Sequence, residues 1–137
     1  MQIEDLIREA HETATSKGWW QMKPERTFGD QIALMHSELS EALEEFRRPL
    51  RRMNGEDFNA EPMALIWANL WGAPVRFNAN DSDISQCKPE GIAIEFADVM
   101  IRIFDTCARY EIPLVEAIKI KMAFNKTREH KHGGKAI

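Results

Sequence analysis

Apolar residues recur with a helical period in four segments of this chain, and no segment alternates apolar and polar residues over a useful length. The four segments predict helices over roughly residues 2–16, from 27–30 to about 47, 91–110 and 113–128. Gly18 follows the first helix, and Pro49 is expected just beyond the end of the second. Because each helix must bury its apolar stripe against another, the sequence predicts an all-α fold, a bundle of four to five helices.

Residues 48–90 differ in composition from the helical segments around them. They are rich in Pro, Asn, Asp and Gly, and they enclose one apolar island at Met63–Trp71. This composition predicts an irregular insertion with a short helix at the island. A chain of 137 residues has the length of one domain. We therefore predict a single all-α domain over residues 1–137 that carries this insertion.

Charge and hydropathy narrow the class of protein. The formal net charge of −4 gives no reason to expect nucleic acid as the main partner. No apolar stretch approaches the ~20 residues of a membrane span, and the first residues lack the pattern of a signal peptide. We therefore expect no membrane partner and a cytoplasmic location. The sequence also lacks the motifs of P-loop enzymes, Rossmann enzymes and serine hydrolases.

The second predicted helix carries glutamates beside its apolar stripe. On a helical wheel with about 100° per residue and Glu38 at zero, Glu41 lies near −60° and Glu45 near −20°. The apolar residues of this helix spread over about +40° to +140°, so the acids border the stripe that we expect to be core. Glu44, at about −120° on the same wheel, faces away from the stripe and is expected in solvent.

The third predicted helix repeats this arrangement. Glu95 and Asp98 have the same spacing and the same position beside an apolar stripe, and Arg102 lies at about −20° when Glu95 is set to zero. If the two helices pack antiparallel, four carboxylates can converge across one groove. A single column of acids is typical of the charged shoulder of a soluble helical bundle. Two matched columns favour a bound cation, because like charges would otherwise crowd beside a low-dielectric core.

Oxygen ligands of this kind suit a hard divalent ion, so the acidic columns predict Mg²⁺, with Mn²⁺ as a substitute. A di-iron centre also uses helical carboxylates, but it requires Glu-x-x-His pairs, and the chain has that spacing only at Glu129 and His132. Metal-dependent chemistry on phosphates is therefore the favoured function. The alternative is a non-catalytic helical interaction module whose acids are solvated and whose residues 48–90 dock a partner.

Three motifs together resemble a known family. Glu38-x-x-Glu41, Glu95-x-x-Asp98 and the downstream run "IKMAFNKTREHKHGGK" are similar to motifs of the MazG-like, all-α nucleoside triphosphate pyrophosphohydrolases. This group also includes dimeric dUTPases and dCTP pyrophosphatases. The resemblance covers roughly residues 28–47 and 90–135. It implies a helical bundle that assembles as a homodimer or homotetramer and uses Mg²⁺ to hydrolyse a (deoxy)nucleoside triphosphate to the monophosphate and pyrophosphate.

The resemblance also implies roles for individual residues. Metal ligation is assigned to Glu38, Glu41, Glu95 and Asp98. Contact with the phosphates and the sugar is assigned to Lys121, Asn125 and Arg128, and Lys135 is a further expected phosphate contact. Many relatives have another glutamate where this chain has Ser37. The number of metal ions therefore stays open, as does the identity of the general base, Glu41 or Glu45.

The predicted substrate contacts of the fourth helix and of Trp20 have plain structural alternatives. Lys121, Asn125 and Arg128 share one face of the fourth helix, and such a face is equally typical of a solvated basic helix end. Trp20 precedes the acidic helix and is the candidate for stacking on a nucleobase. A tryptophan that follows a helix stop is, however, more often a packing residue.

Overall fold

The structure is a computed structural model that describes residues 1–52, 76–77 and 88–128. Within these residues the chain forms four helices and two short strands. The helices are α1 (Ile3–Ser16), α2 (Phe28–Arg52), α3 (Ile92–Arg109) and α4 (Leu114–Thr127), and the strands are β1 (Arg76–Phe77) and β2 (Pro89–Glu90). The predicted all-α fold is confirmed, since helices dominate the described residues. None of these helices has both the length and the apolar character that a membrane span requires.

Local signals set both ends of α1. At its start the carboxylate of Asp5 accepts a hydrogen bond from the backbone N–H of Gln2 (3.3 Å). Just beyond its end Gly18 has a φ of +82°, and the backbone N–H of Gly18 donates to the carbonyl of Thr15 (3.1 Å). Glycine has no Cβ to clash in this left-handed conformation, so it ends a helix readily. The predicted stop at Gly18 is confirmed.

A reciprocal pair of hydrogen bonds forms the start of α2. The Thr27 hydroxyl accepts from the backbone N–H of Asp30 (3.1 Å), and the Asp30 carboxylate accepts from the backbone N–H of Thr27 (2.7 Å). These bonds satisfy donors of the first turn and hold the pKa of Asp30 below its ordinary value. The predicted end near Arg47 is wrong, because α2 continues through Pro49 to Arg52. Proline removes one N–H from a helix, and here the helix continues across that gap.

The predicted insertion contains a pair of strands. β1 and β2 pair antiparallel, with Arg76 opposite Glu90 and Phe77 opposite Pro89. Strands of two residues are too short to produce a pattern of alternation, which explains why the sequence did not predict them. The short helix predicted at Met63–Trp71 lies outside the described residues.

The chain divides into two compact units. Unit 1 is Met1–Gln21 together with Phe104–Ile137, and unit 2 is Met22–Ile103. Helices α1 and α4 belong to unit 1 and α2 belongs to unit 2, whereas α3 contributes residues to both.

The buried centre of unit 1 lies where Trp20 meets the end of α3. Trp20, Phe104 and Cys107 are buried, and burial raises the pKa of the Cys107 thiol. The Asp105 carboxylate accepts a hydrogen bond from the indole N–H of Trp20 (2.8 Å) and lies 2.7 Å from Nδ1 of His11. One carboxylate oxygen thereby joins α1, the segment that follows it and α3. Because no residue of α1 is fully buried, this polar contact adds to the half-buried apolar face of the helix.

In unit 2, the buried side of α2 differs from the side that the apolar stripe predicts. Gln31, Glu38 and Ala42 are buried. They lie at about +20°, 0° and +40° on the wheel with Glu38 at zero. Leu39 and Leu43, at about +100° and +140° on that wheel, are 48% and 43% exposed. Glu38 therefore lies inside the buried side of α2, whereas Glu41 is exposed and Glu45 is half-buried.

The part of α3 that belongs to unit 2 has the same feature. Val99 is buried, whereas Phe96 is 53% exposed and Met100 is exposed as well. The expectation that the apolar stripes of α2 and α3 form the core of this helix pair is therefore confirmed only for the edge of each stripe next to the acids, where Ala42 and Val99 are buried. A helical wheel gives the position and width of a stripe, but it does not say which part of the stripe turns toward the neighbouring helix.

Candidate metal centre

Three carboxylates of unit 2 converge in the structure. One oxygen each from Glu38, Glu95 and Asp98 lies within 4.8 Å of the other two. Glu38 is only 8% exposed, and the two acids of α3 are half-buried. A spacing of three residues puts Glu95 and Asp98 on one side of α3, and α2 supplies Glu38. Three of the four predicted metal ligands thus meet in one cluster, which we call the carboxylate cluster.

The interactions between α2 and α3 run in opposite order along the two helices. Glu38 pairs with Arg102, which comes late in α3. Glu41 and Glu45 follow Glu38 in α2, and both raise the pKa of Glu95, which precedes Arg102 in α3. The Glu38–Arg102 pair and the strong effect of Glu41 on Glu95 agree with an antiparallel pair, the arrangement in which the two acidic columns were expected to converge.

Burial and crowding perturb both acids of α3. Burial raises the pKa of Glu95, and four nearby carboxylates, of which Glu41 has the largest effect, raise it further. Burial also raises the pKa of Asp98, and the negative charge of Glu38 adds to this rise, whereas the positive charge of Arg102 opposes it. Without a further cation, Glu95 and Asp98 are therefore harder to ionise than ordinary surface acids.

Arg102 contacts the carboxylate cluster, a role that the sequence analysis did not assign to it. Its Nε donates to Oε1 of Glu38 at 2.6 Å, and its side chain is 32% exposed. Arg102 lies at about −20° on the wheel of α3, the same angle that Glu45 has on the wheel of α2. The sequence signal for this ion pair was therefore a basic residue on α3 at the wheel position where α2 has an acidic residue. The pair gives the buried Glu38 a partner of opposite charge, which a buried carboxylate requires.

The donor set of the cluster fits a hard divalent cation. Mg²⁺ and Mn²⁺ prefer oxygen ligands, and Mg²⁺ is usually held by one or two carboxylates while it keeps several waters. A cation here would also relieve the repulsion that raises the pKa values of Glu95 and Asp98. Glu38, Glu95 and Asp98 are therefore the residues that would hold Mg²⁺ or Mn²⁺.

The other glutamates of α2 differ in whether they lie near the carboxylate cluster. Glu41 is exposed and Glu45 is half-buried, and both are close enough to Glu95 to raise its pKa. Glu44 is exposed, and its carboxylate lies 3.7 Å from Nη1 of Arg47 in a surface ion pair. Glu41 and Glu45 thus border the carboxylate cluster, while Glu44 has the exposed position that the wheel predicts.

The predicted phosphate-binding residues form an exposed basic face in unit 1. Lys121 and Asn125 lie on α4, and Arg128 is the residue at its C-terminal cap. All three are exposed, and Nζ of Lys121 lies 5.2 Å from the centre of the Phe124 ring. Lys135 lies outside the described residues. The contact of these residues with a nucleotide stays a prediction.

Trp20 has the surroundings of a packing residue. It is buried, its indole N–H donates to Asp105, and its ring meets the edge of Tyr110 at a centroid distance of 6.2 Å. The guanidinium carbon of Arg109 lies 5.1 Å from the ring centre, which is a cation–π distance. These contacts agree with the structural alternative given above, and stacking of Trp20 on a nucleobase stays a prediction.

We found no match to this chain among models of protein families, curated proteins or solved structures. The resemblance to the MazG-like pyrophosphohydrolases therefore stays a prediction that depends on the acidic motifs and the Lys-Asn-Arg run. The physical basis for a functional hypothesis is the geometry of the carboxylate cluster.

Proposed function

We propose that this protein is a Mg²⁺-dependent pyrophosphohydrolase that cleaves the α–β phosphoanhydride of a (deoxy)nucleoside triphosphate to give the monophosphate and pyrophosphate. The observation that carries the proposal is the cluster of Glu38, Glu95 and Asp98, whose ligand oxygens lie within 4.8 Å of one another. A Mg²⁺ ion held by carboxylates characteristically completes its coordination with water and substrate phosphates. The family resemblance supplies the reaction type.

The positions of the acids suggest that some bind the metal and others accept a proton. Glu38, Glu95 and Asp98 would hold the cation, with Glu41 as the predicted fourth ligand. A bound divalent cation supplies positive charge for the phosphates and lowers the pKa of a ligated water. Glu41 or Glu45, both of which border the cluster, would accept the proton of the water that attacks the α-phosphorus. Both are close to Glu95, so either lies near the metal ligands.

Cationic and amide side chains would meet the anionic part of the substrate. Lys121, Arg128 and Lys135 would offset the charge that develops on the departing pyrophosphate, and Asn125 would contact the sugar or a phosphate. The exposed positions of Lys121, Asn125 and Arg128 on one face support this role, because a phosphate chain requires several donors that are accessible together.

The test is a panel of deoxynucleoside and ribonucleoside triphosphates incubated with Mg²⁺ or Mn²⁺, with separation of all products. We expect a monophosphate and pyrophosphate in equal amounts from at least one nucleotide. Glu38→Gln should abolish this turnover, whereas Glu44→Gln, which changes an exposed acid of the same helix, should retain it. Release of inorganic phosphate without pyrophosphate, or no turnover with any nucleotide, would refute the proposal.

Self-association is a second part of the proposal. We expect a homodimer or homotetramer in the cytoplasm. The exposed apolar side chains of α2 and α3 support this, because a helix pair normally buries its apolar stripes against another layer. Leu39 and Leu43 on α2, and Phe96 and Met100 on α3, would lie in such an interface.

A non-catalytic helical interaction module is the second candidate function. Two observations favour it: Arg102 already neutralises the buried Glu38, and the same apolar side chains could receive a different partner. This function predicts no binding of Mg²⁺ or Mn²⁺ in calorimetry. A rise of the melting temperature in millimolar Mg²⁺ that is lost in Asp98→Asn would count against it.

A further inference from the structure

Arg102 occupies a position in the carboxylate cluster that matters for any cation. It donates from Nε to Oε1 of Glu38 at 2.6 Å, and its positive charge also acts on Asp98. Two of the three converging carboxylates are therefore already under the influence of one guanidinium. Glu38 is the most buried member of the cluster, so it is also the acid that most needs a counter-charge.

We propose that Arg102 is an internal counter-ion that competes with the divalent cation for Glu38 and thereby sets the metal affinity of the carboxylate cluster. The inference depends on the proposed function, because it concerns the same metal centre. In the metal-free protein the guanidinium compensates the buried carboxylate. A cation that binds Glu38 would have to displace this guanidinium from the carboxylate.

Two physical effects make Arg102 a competitor. Its hydrogen bond draws electron density from the Glu38 carboxylate, which becomes a weaker ligand. Its positive charge also repels the divalent cation that would bind the same carboxylates. This repulsion is strong where burial limits screening by solvent and salt. Arg102 thus stabilises the protein without metal and weakens the binding of metal.

If Arg102 instead positioned Glu38 for metal binding, its removal would change the metal affinity in the opposite direction. Hydrogen bonds that orient a ligating side chain strengthen metal binding, and their loss typically weakens it by about 10–100-fold. A competitor predicts tighter binding when it is removed. The direction of the change in metal affinity therefore separates the two roles, whatever its size.

The experiment is a titration of the full chain with Mn²⁺ alone. The concentration of unbound Mn²⁺ at each point is measured by electron paramagnetic resonance. We expect Arg102→Gln to bind Mn²⁺ about tenfold more tightly than the wild type, since a unit charge beside a divalent ion is worth at least that factor. Arg102→Lys keeps the charge and should stay near the wild type. Arg47→Gln, which removes an exposed arginine of α2, controls for the change in net charge.

A measurement on the wild type covers the case in which Arg102→Gln does not fold. The Nε–H signal of Arg102, assigned by its loss in the Arg102→Lys variant, should shift in a ¹⁵N–¹H spectrum as Mg²⁺ is added. A signal that stays in place at saturating Mg²⁺ would overturn the inference, as would Mn²⁺ binding to Arg102→Gln that is equal to or weaker than wild-type binding. A wild type that binds no Mn²⁺ would instead refute the proposed function, and this inference with it.

Discussion

Replacing Glu95 by glutamine removes one negative charge from the carboxylate cluster and keeps the size of the side chain. Glu95 is half-buried, and its pKa is raised by burial and then by the surrounding carboxylates. In the absence of metal, its ionised form is therefore unfavourable in the folded protein. We predict that Glu95→Gln stabilises the metal-free protein and abolishes its stabilisation by Mg²⁺.

The size of the effect follows from the spacing of the carboxylates. At 4.8 Å, the upper limit between ligand oxygens of the cluster, two unit charges repel by about 0.9 kcal/mol in water and about 3.5 kcal/mol at an effective dielectric constant of about 20. Arg102 offsets the charge of Glu38 and part of that of Asp98, and Glu41, which lies outside these three, has the largest electrostatic effect on Glu95. We therefore expect Glu95→Gln to raise the free energy of unfolding by about 1–3 kcal/mol.

The assay is urea denaturation in EDTA and in millimolar Mg²⁺, repeated over a range of pH. A raised pKa means that the folded state binds more protons than the unfolded state above the ordinary value of 4.5 for Glu95. The contribution of Glu95 to the free energy of unfolding is thus greatest below that pH, and it is lost as the pH rises through the folded-state pKa. The advantage of Glu95→Gln should accordingly be small in acid, grow as the pH rises, and then level off.

The matched control is Glu44→Gln, which changes an exposed glutamate of α2 that has a surface ion pair with Arg47. This variant should keep nearly the wild-type stability in EDTA and the full response to Mg²⁺. If Glu95→Gln is as stable as the wild type or less stable in EDTA at neutral pH, the carboxylates do not repel one another as described, and the reasoning fails.

Three further predictions concern other parts of the molecule. Glu41→Gln should abolish nucleotide hydrolysis in a product assay, whereas Glu44→Gln should leave it nearly intact, and equal losses would show that the division of these glutamates is wrong. Asp105→Ala should lower the free energy of unfolding by about 2–3 kcal/mol in urea, because it leaves a buried indole N–H without its acceptor, and Asp105→Asn, which keeps an acceptor, should lose less. The double variant Leu39→Ser and Phe96→Ser should reduce the mass measured by sedimentation to that of a monomer with unchanged circular dichroism. An unchanged oligomeric mass would place the self-association surface elsewhere.

Helix positions were the most predictable feature of this protein. The stop at Gly18 and the start at Thr27 depend on hydrogen bonds between residues a few positions apart, so the sequence contains the whole signal. The end of α2 was missed because Pro49 weakens a helix without being obliged to end it. The pairing of β1 with β2 was missed because a strand of two residues is too short to show an alternation of apolar and polar residues.

The carboxylate cluster was predicted in part. The wheel identified Glu38, Glu95 and Asp98 as acids that could meet, and the structure brings them together. It did not identify the ion pair between Glu38 and Arg102, because that pair depends on the axial offset of two helices that are far apart in the sequence. An arginine among acids has several potential partners, and only the packing of α2 against α3 selects one.

The sequence by itself determined where the helices form and which acids share a helical face, because both follow from a period of about 3.6 residues and from caps within one turn. Only the tertiary structure decided how far each helix is rotated about its own axis. That rotation buries Glu38 and leaves Leu39 exposed, although the two are adjacent in the chain. The reason is physical: periodicity is a property of one helix, whereas burial is a property of a pair, and the pairing of Glu38 with Arg102 makes the burial of an acid tolerable.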